Sequence, residues 1–153
     1  MNQQYMLQAL EASRQALPDC QPNPPVGCVL VKNDKVVSVG YTQKVGGNHA
    51  EVEALNGYDS ETDGEMDGEM EGEMEGVTAY VTLEPCSFVG RTPACANTLV
   101  KAGVKHVVVA MLDPDPRNNG RGVAILESHG VKVDVGLCQE QVSAFLTPYL
   151  GKS

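Results

Sequence analysis

The sequence predicts an α/β fold, a mixed five-stranded sheet that opens with an antiparallel hairpin and carries helices on both faces. Three observations carry this. From residue 77 onward β-rich runs alternate with segments of helical period, which calls for parallel strands joined by crossovers. Two earlier β-rich runs, 26–32 and 35–41, are separated only by Asn33-Asp34, a hairpin signal. A chain of 153 residues, 42% hydrophobic and 20% charged, suits a single domain spanning 1–153.

Each element has a local reason. Met6, Ala9, Leu10 and Leu17 recur at helical spacing between Asn2 and Leu17, and Pro18 stops the pattern. Cys20-Gln21-Pro22-Asn23-Pro24-Pro25 is a rigid loop, because its prolines remove amide donors and force extended neighbours. The strands Val26–Lys32 and Lys35–Tyr41 form the hairpin. Asn48 is the expected N-cap of a short helix, His49–Asn56, with Val52 and Leu55 inward and Glu53 outward. Residues 59–76 repeat Gly, acid and Met with heavy like-charge repulsion, which reads as an acidic, flexible surface loop. There follow a strand Val77–Leu83, a helix from about Ala94 to Ala102, and a strand Lys105–Met111. A helix from about Gly120 to Ser128, a strand Val131–Val135 and a helix from about Gln139 to Leu150 complete the chain.

Charge and composition exclude several classes. The net charge is −9, yet nine of the twenty acids lie between Asp59 and Glu75, and elsewhere acids and bases balance at eleven each. Such a balance argues against a partner in folded nucleic acid, whose phosphates attract basic surfaces. No apolar run approaches the roughly 20 residues of a membrane span. The start lacks a basic and apolar leader, so the expected location is cytoplasmic, with no membrane partner. Five Cys in a reducing compartment favour metal binding or burial over a disulfide framework.

Three pieces then stand out: His49-Ala50-Glu51, Pro85-Cys86 and Cys95. His-x-Glu followed by Pro-Cys-x-x-Cys is the signature of zinc deaminases that act on nucleobases; here eight residues rather than two separate the cysteines. One His and two thiolates leave a fourth position of Zn2+ open, as a hydrolytic site requires. His49 and Cys95 both fall at predicted helix starts, where the dipole and unpaired amides favour anions. Two thiolates weaken the metal as a Lewis acid, so a base beside it is useful, and Glu51 is placed for that task. The expected reaction adds water to an amidine-like ring carbon and releases ammonia, with Glu51 carrying the proton. A purely structural zinc site is the competing reading of the same residues. Cys28, Cys138, His106 and His129 have no metal spacing and read as packing or surface residues, and Cys20 stays undecided.

These residues resemble the deaminase domain of the bifunctional riboflavin-biosynthesis deaminase/reductase, within the cytidine-deaminase-like superfamily. The matching stretches are Pro22-Asn23-Pro24 with Val26-Gly27-Cys28, His49-Ala50-Glu51-Val52, Thr82-Leu83-Glu84-Pro85-Cys86-Ser87 and Gly90-Arg91-Thr92-Pro93 with Cys95. Asp113-Pro114-Asp115-Pro116 followed by Gly120-Arg121-Gly122 completes the set. The resemblance implies a three-layer α/β/α fold, one Zn2+ per chain held by His49, Cys86 and Cys95, and Glu51 as the catalytic proton shuttle. It implies a phosphorylated diamino-pyrimidinone as small-molecule substrate, and homo-oligomers. Asn23 would meet the base and Arg91 the phosphate, chemistry that suits an amide and a guanidinium. Ala50, Thr42, Ser87 and Asp113 are the other implied substrate contacts. Thr42 stands where the family commonly has His, Phe88-Val89 replaces a pair usually containing His, and the reductase domain that normally follows is absent before Ser153. The altered rim keeps two alternatives open: a deaminase of another nucleobase or nucleoside, and a zinc-stabilised interaction module without catalysis.

Overall fold

The computed structural model describes residues 2–44, 46–58, 76–87 and 94–150. The acidic loop at 59–75, Phe88-Val89 and Arg91 lie outside the described residues. Helix α1 (Gln3–Arg14) is followed by strands β1 (Gly27–Lys32) and β2 (Lys35–Tyr41), helix α2 (Ala50–Gly57) and strand β3 (Val77–Leu83). Then come α3 (Cys95–Ala102), β4 (His106–Met111), α4 (Arg121–Ser128), β5 (Lys132–Val135) and α5 (Gln139–Leu146), with a 3-10 turn at Thr147–Tyr149. Among the described residues no helix is long and apolar enough to cross a membrane.

The sheet order is β2-β1-β3-β4-β5. The hairpin turns through Asn33 and Asp34, both at positive φ (53° and 63°), which the primed two-residue turns require and which Asn and Asp tolerate. Antiparallel β1 pairs with β2 on one side and β3 on the other, whereas β3, β4 and β5 are parallel. β2, β3, β4 and β5 therefore all run one way, and α2, α3 and α4 each start just beyond a strand's C-terminal end. In open α/β sheets ligands collect at that end.

Alternation of side chains gives the sheet two apolar faces. Cys28, Leu30, Ala79, Val81, Val107 and Val109 meet Ala54, Leu99 and Leu126 of α2, α3 and α4. Val29, Val31, Tyr80 and Val108 meet Met6 and Leu10 of α1 and Val142 and Leu146 of α5. The layers are thus α/β/α.

Three expectations are corrected. α1 ends at Arg14, not Leu17; Pro18 disfavours helical backbone in the residue before it, and Ala16 and Leu17 close single turns onto Ser13 and Arg14 instead. The N-cap of α2 is His49, while the Asn48 side-chain amide donates to Glu53 at 2.9 Å. The buried face of α2 is Ala50, Glu51 and Ala54 rather than Val52. Its cause is Gly40 of β2, where a Cβ would lie 2.4 Å from the Ala54 nitrogen and 2.5 Å from the Ala50 oxygen. The helix backbone seats directly on that glycine. Gly40→Ala must push α2 outward, and we expect a loss of roughly 1–3 kcal/mol, read from the midpoint of chemical denaturation; an unchanged midpoint would show that α2 shifts without cost.

Candidate metal centre and active site

The chemistry gathers where two helices begin at the C-terminal end of the sheet. His49 is the N-cap of α2 and makes no side-chain capping bond, so its ring is available. Cys95 is the first residue of α3, a helix whose N-cap, Ala94, has no side chain able to bond the first amides. Cys86, three residues past β3, fills that need. Its sulfur accepts from the Cys95 amide at 3.1 Å, and its carbonyl accepts from the Ala96 amide at 3.1 Å. The two cysteines are thereby locked together across the residues that separate them.

His49 Nδ1 lies 3.0 Å from Cys95 Sγ and 4.0 Å from Cys86 Sγ. One ligand atom from each residue falls within 4.8 Å of the others, and among the described residues no other such group of His, Cys, Asp and Glu occurs. The set fits zinc by its chemistry: one borderline nitrogen and two soft sulfurs, half-buried or buried, with no fourth His, Cys, Asp or Glu joining the group among the described residues. The sulfurs also pull each other's titration apart. A hydrogen bond from the Cys95 thiol, helped by His49 and the Cys95 amide, holds Cys86 down at about 4. Cys95 is pushed up by its bond to Cys86 and by burial. His49 is raised, chiefly by its bond to Cys86.

Glu51 is the second residue of α2 and is 4% exposed. Burial, and after it the Cys86 charge, push its carboxyl up to about 7, although a hydrogen bond from Cys95 opposes the shift. A carboxyl in this setting touches the ligand sulfur and can both take up and return a proton.

The remaining candidates are placed as follows. Ala50 is buried under the first turn of α2. Thr42 is buried, and its hydroxyl accepts from the Val26 amide at 3.0 Å, tying the end of β2 to the proline-rich loop. Asn23 in that loop lines an open cavity of about 450 Å³ with Gln21, Pro22 and Tyr149. Cys20, open on sequence grounds, is buried and donates its thiol to the Asn23 carbonyl at 3.3 Å. Ser87 is half-buried beside Cys86. The Asp113 carboxylate accepts from the Asp115 amide at 3.0 Å and from Asn118 Nδ2 at 3.3 Å. Cys28 is a fully buried core residue and Cys138 is buried against α1. His106 bonds Asp134 at 2.7 Å at the far ends of the strands.

Comparison with known proteins agrees with this geometry. The profile of the cytidine and deoxycytidylate deaminase zinc-binding region matches residues 1–111, a span that includes His49, Glu51, Cys86 and Cys95. The chain belongs to this family. A relative from Buchnera aphidicola subsp. Schizaphis graminum, named diaminohydroxyphosphoribosylamino-pyrimidine deaminase, is 41% identical over 90% of this chain and 85% of its own length. The riboflavin biosynthesis protein RibD of Aquifex aeolicus is 43% identical over 92% of this chain but only 36% of its own. The solved structure of Acinetobacter baumannii RibD superposes with a TM-score of 0.85 at 43% identity, covering 97% of this chain and 38% of that one. The chain thus spans little more than a third of the RibD relatives. As a member of this deaminase family it carries a zinc site, and His49, Cys86 and Cys95 are the residues that fit it.

Sequence reasoning missed Glu84. It is 3% exposed at the end of β3, and its carboxylate accepts from three backbone amides, those of Asp113, Gly120 and Val123. A Glu next to Pro-Cys gives no sign of this, because its partners lie 29, 36 and 39 residues further along the chain.

Proposed function

We propose that this chain is the hydrolytic deaminase of a diaminohydroxyphosphoribosylamino-pyrimidine, an intermediate on the way to riboflavin. The observation that carries this reading is the buried Glu51 beside the His49, Cys86 and Cys95 cluster, in a chain 41% identical to a relative of that name along 85% of the relative. When bound, zinc supplies the Lewis acidity that lowers the pKa of a water toward neutrality. His49, Cys86 and Cys95 hold and orient it. Glu51 takes up the two protons of the attacking water in turn, delivering the first to the ring nitrogen and the second to the departing amine. One C–O bond forms, one C–N bond breaks, and both protons of the water end on nitrogen.

Asn23, through its amide, and Arg91, through its guanidinium, are proposed to hold the base and the phosphate. Ala50, Thr42, Ser87 and Asp113 complete the proposed substrate set. A second reading, deamination of another aminated heterocycle, is favoured by Thr42, whose hydroxyl is engaged by the Val26 amide and so offers the pocket less than a free imidazole would. An ammonia-release assay on zinc-loaded protein separates the two. The phosphoribosylated pyrimidine is expected to exceed cytidine, dCMP and guanine in kcat/KM by roughly 100-fold or more, because a site built to bond its polar groups rejects analogues lacking them. Preferential turnover of one of the others would select the second reading, and no turnover of any would defeat both.

A further inference from the structure

Glu84 is a buried carboxylate for which the proposed reaction has no use. Its Oε1 accepts from the Asp113 amide at 3.1 Å and the Gly120 amide at 3.0 Å, and its Oε2 accepts from the Val123 amide at 3.0 Å. A charge this deep needs such partners to offset lost solvation. Gly120 is the N-cap of α4 and Val123 its third residue, so two of the donors are amides that the helix itself leaves unpaired and that favour an anion. The same loop also grips the next residue. Asn118 Nδ2 donates to the Pro85 carbonyl at 3.3 Å, and the Gly122 backbone lies flat on that carbonyl, where a Cβ would come within 2.0 Å. On the other side, the Glu84 amide donates to the Met111 carbonyl at 3.0 Å.

Glu84 and Pro85 are therefore held on both sides by residues 111–123, and Cys86 is the first residue to leave this grip. Two residues of chain span at most about 7 Å, so where the clamp holds Glu84 and Pro85 limits where the Cys86 sulfur can sit.

We infer that Glu84 is a positioning residue for the metal ligand Cys86. By pinning the β4–α4 loop onto Pro85 it sets where Cys86 leaves the sheet, and hence whether its sulfur meets His49 Nδ1 and Cys95 Sγ at the same time. The inference rests on the zinc reading of that cluster and extends it to a residue outside it. A carboxylate that merely stabilised the fold would affect the melting temperature without affecting the sulfurs.

The test compares full-length wild type with Glu84→Gln and Leu146→Ala, each loaded with zinc or with cobalt. Gln keeps the size of Glu84 but turns an NH2 toward one of the three amides. Leu146→Ala empties a fully buried position on the opposite face of the sheet and serves as the destabilised control. Glu84→Gln is expected to weaken zinc by about 10-fold or more in chelator competition, the scale seen for outer-shell partners. It should also alter the thiolate-to-cobalt charge-transfer band. Leu146→Ala should lower the melting temperature and leave both readouts unchanged. Wild-type affinity and spectrum in Glu84→Gln would overturn the inference, as would equal zinc loss in Leu146→Ala at an equal drop in melting temperature. If Glu84→Gln does not fold, Asn118→Ala, which leaves the three amides on Glu84 in place but removes the side-chain contacts to Pro85 and Asp113, should shift zinc affinity in the same direction; no shift overturns the inference. Wild-type protein that takes up neither metal would defeat the metal assignment itself, and the positioning role with it.

Discussion

Glu51→Gln should retain stoichiometric zinc and lose ammonia release by roughly 10²- to 10⁴-fold, the contribution of a positioned acid–base group. Gln matches Glu in volume, and none of the three clustered residues is itself replaced, so the metal should stay. What disappears is the ability to carry a proton from water to the ring nitrogen and the leaving amine. The fold should not suffer, because replacing a buried carboxyl that burial already pushes up removes a charge that is costly to hold there. Metal analysis and a continuous ammonia assay on the same preparation check this. Full turnover in the variant would remove Glu51 from the reaction.

Cys95→Ser should produce the opposite pair of results, with metal and activity lost together. The sulfur of Cys95 lies 3.0 Å from His49 Nδ1 and shares a hydrogen bond with Cys86, so its removal takes away one ligand and disturbs a second. Zinc affinity should fall by more than the roughly 10- to 100-fold that an outer-shell partner is worth, with turnover reduced to background. Cys28→Ala is the control: that thiol is fully buried in the core and stands apart from the cluster, so the variant should keep its zinc. Zinc content after dialysis against a chelator decides between them, and a Cys95→Ser protein that still holds stoichiometric metal would take Cys95 out of the ligand set.

The three residues that cluster, His49, Cys86 and Cys95, were legible in the sequence because each sits next to a local signal. His49 follows Gly-Gly-Asn at a helix start, Cys86 follows Pro at a strand end, and Cys95 opens a helical pattern after Pro93. The strand Lys35–Tyr41 and the strand Val77–Leu83 were legible to the residue, since period and turn chemistry are local properties. Ladder order was not. Asn33-Asp34 announces the antiparallel partner β2, but nothing near β1 announces that β3 pairs antiparallel along its other edge, because β1 and β3 meet across more than forty residues. The buried face of α2 was misjudged for the same reason: Val52 is the larger apolar residue, but Gly40 of another element selects Ala50 and Ala54. Glu84 is the extreme case, with a burial set entirely by amides remote in sequence.

The direction of the elements has one more consequence. α2 begins at the metal ligands and ends at Gly57, while β3 begins at Val77 and runs back up toward Cys86. The described residues that flank the Asp- and Glu-rich segment, Tyr58 and Gly76, thus lie at the far end of α2 and of β3 from His49 and Cys86. A tag or reporter domain grafted between those two anchors is expected to leave ammonia release unchanged.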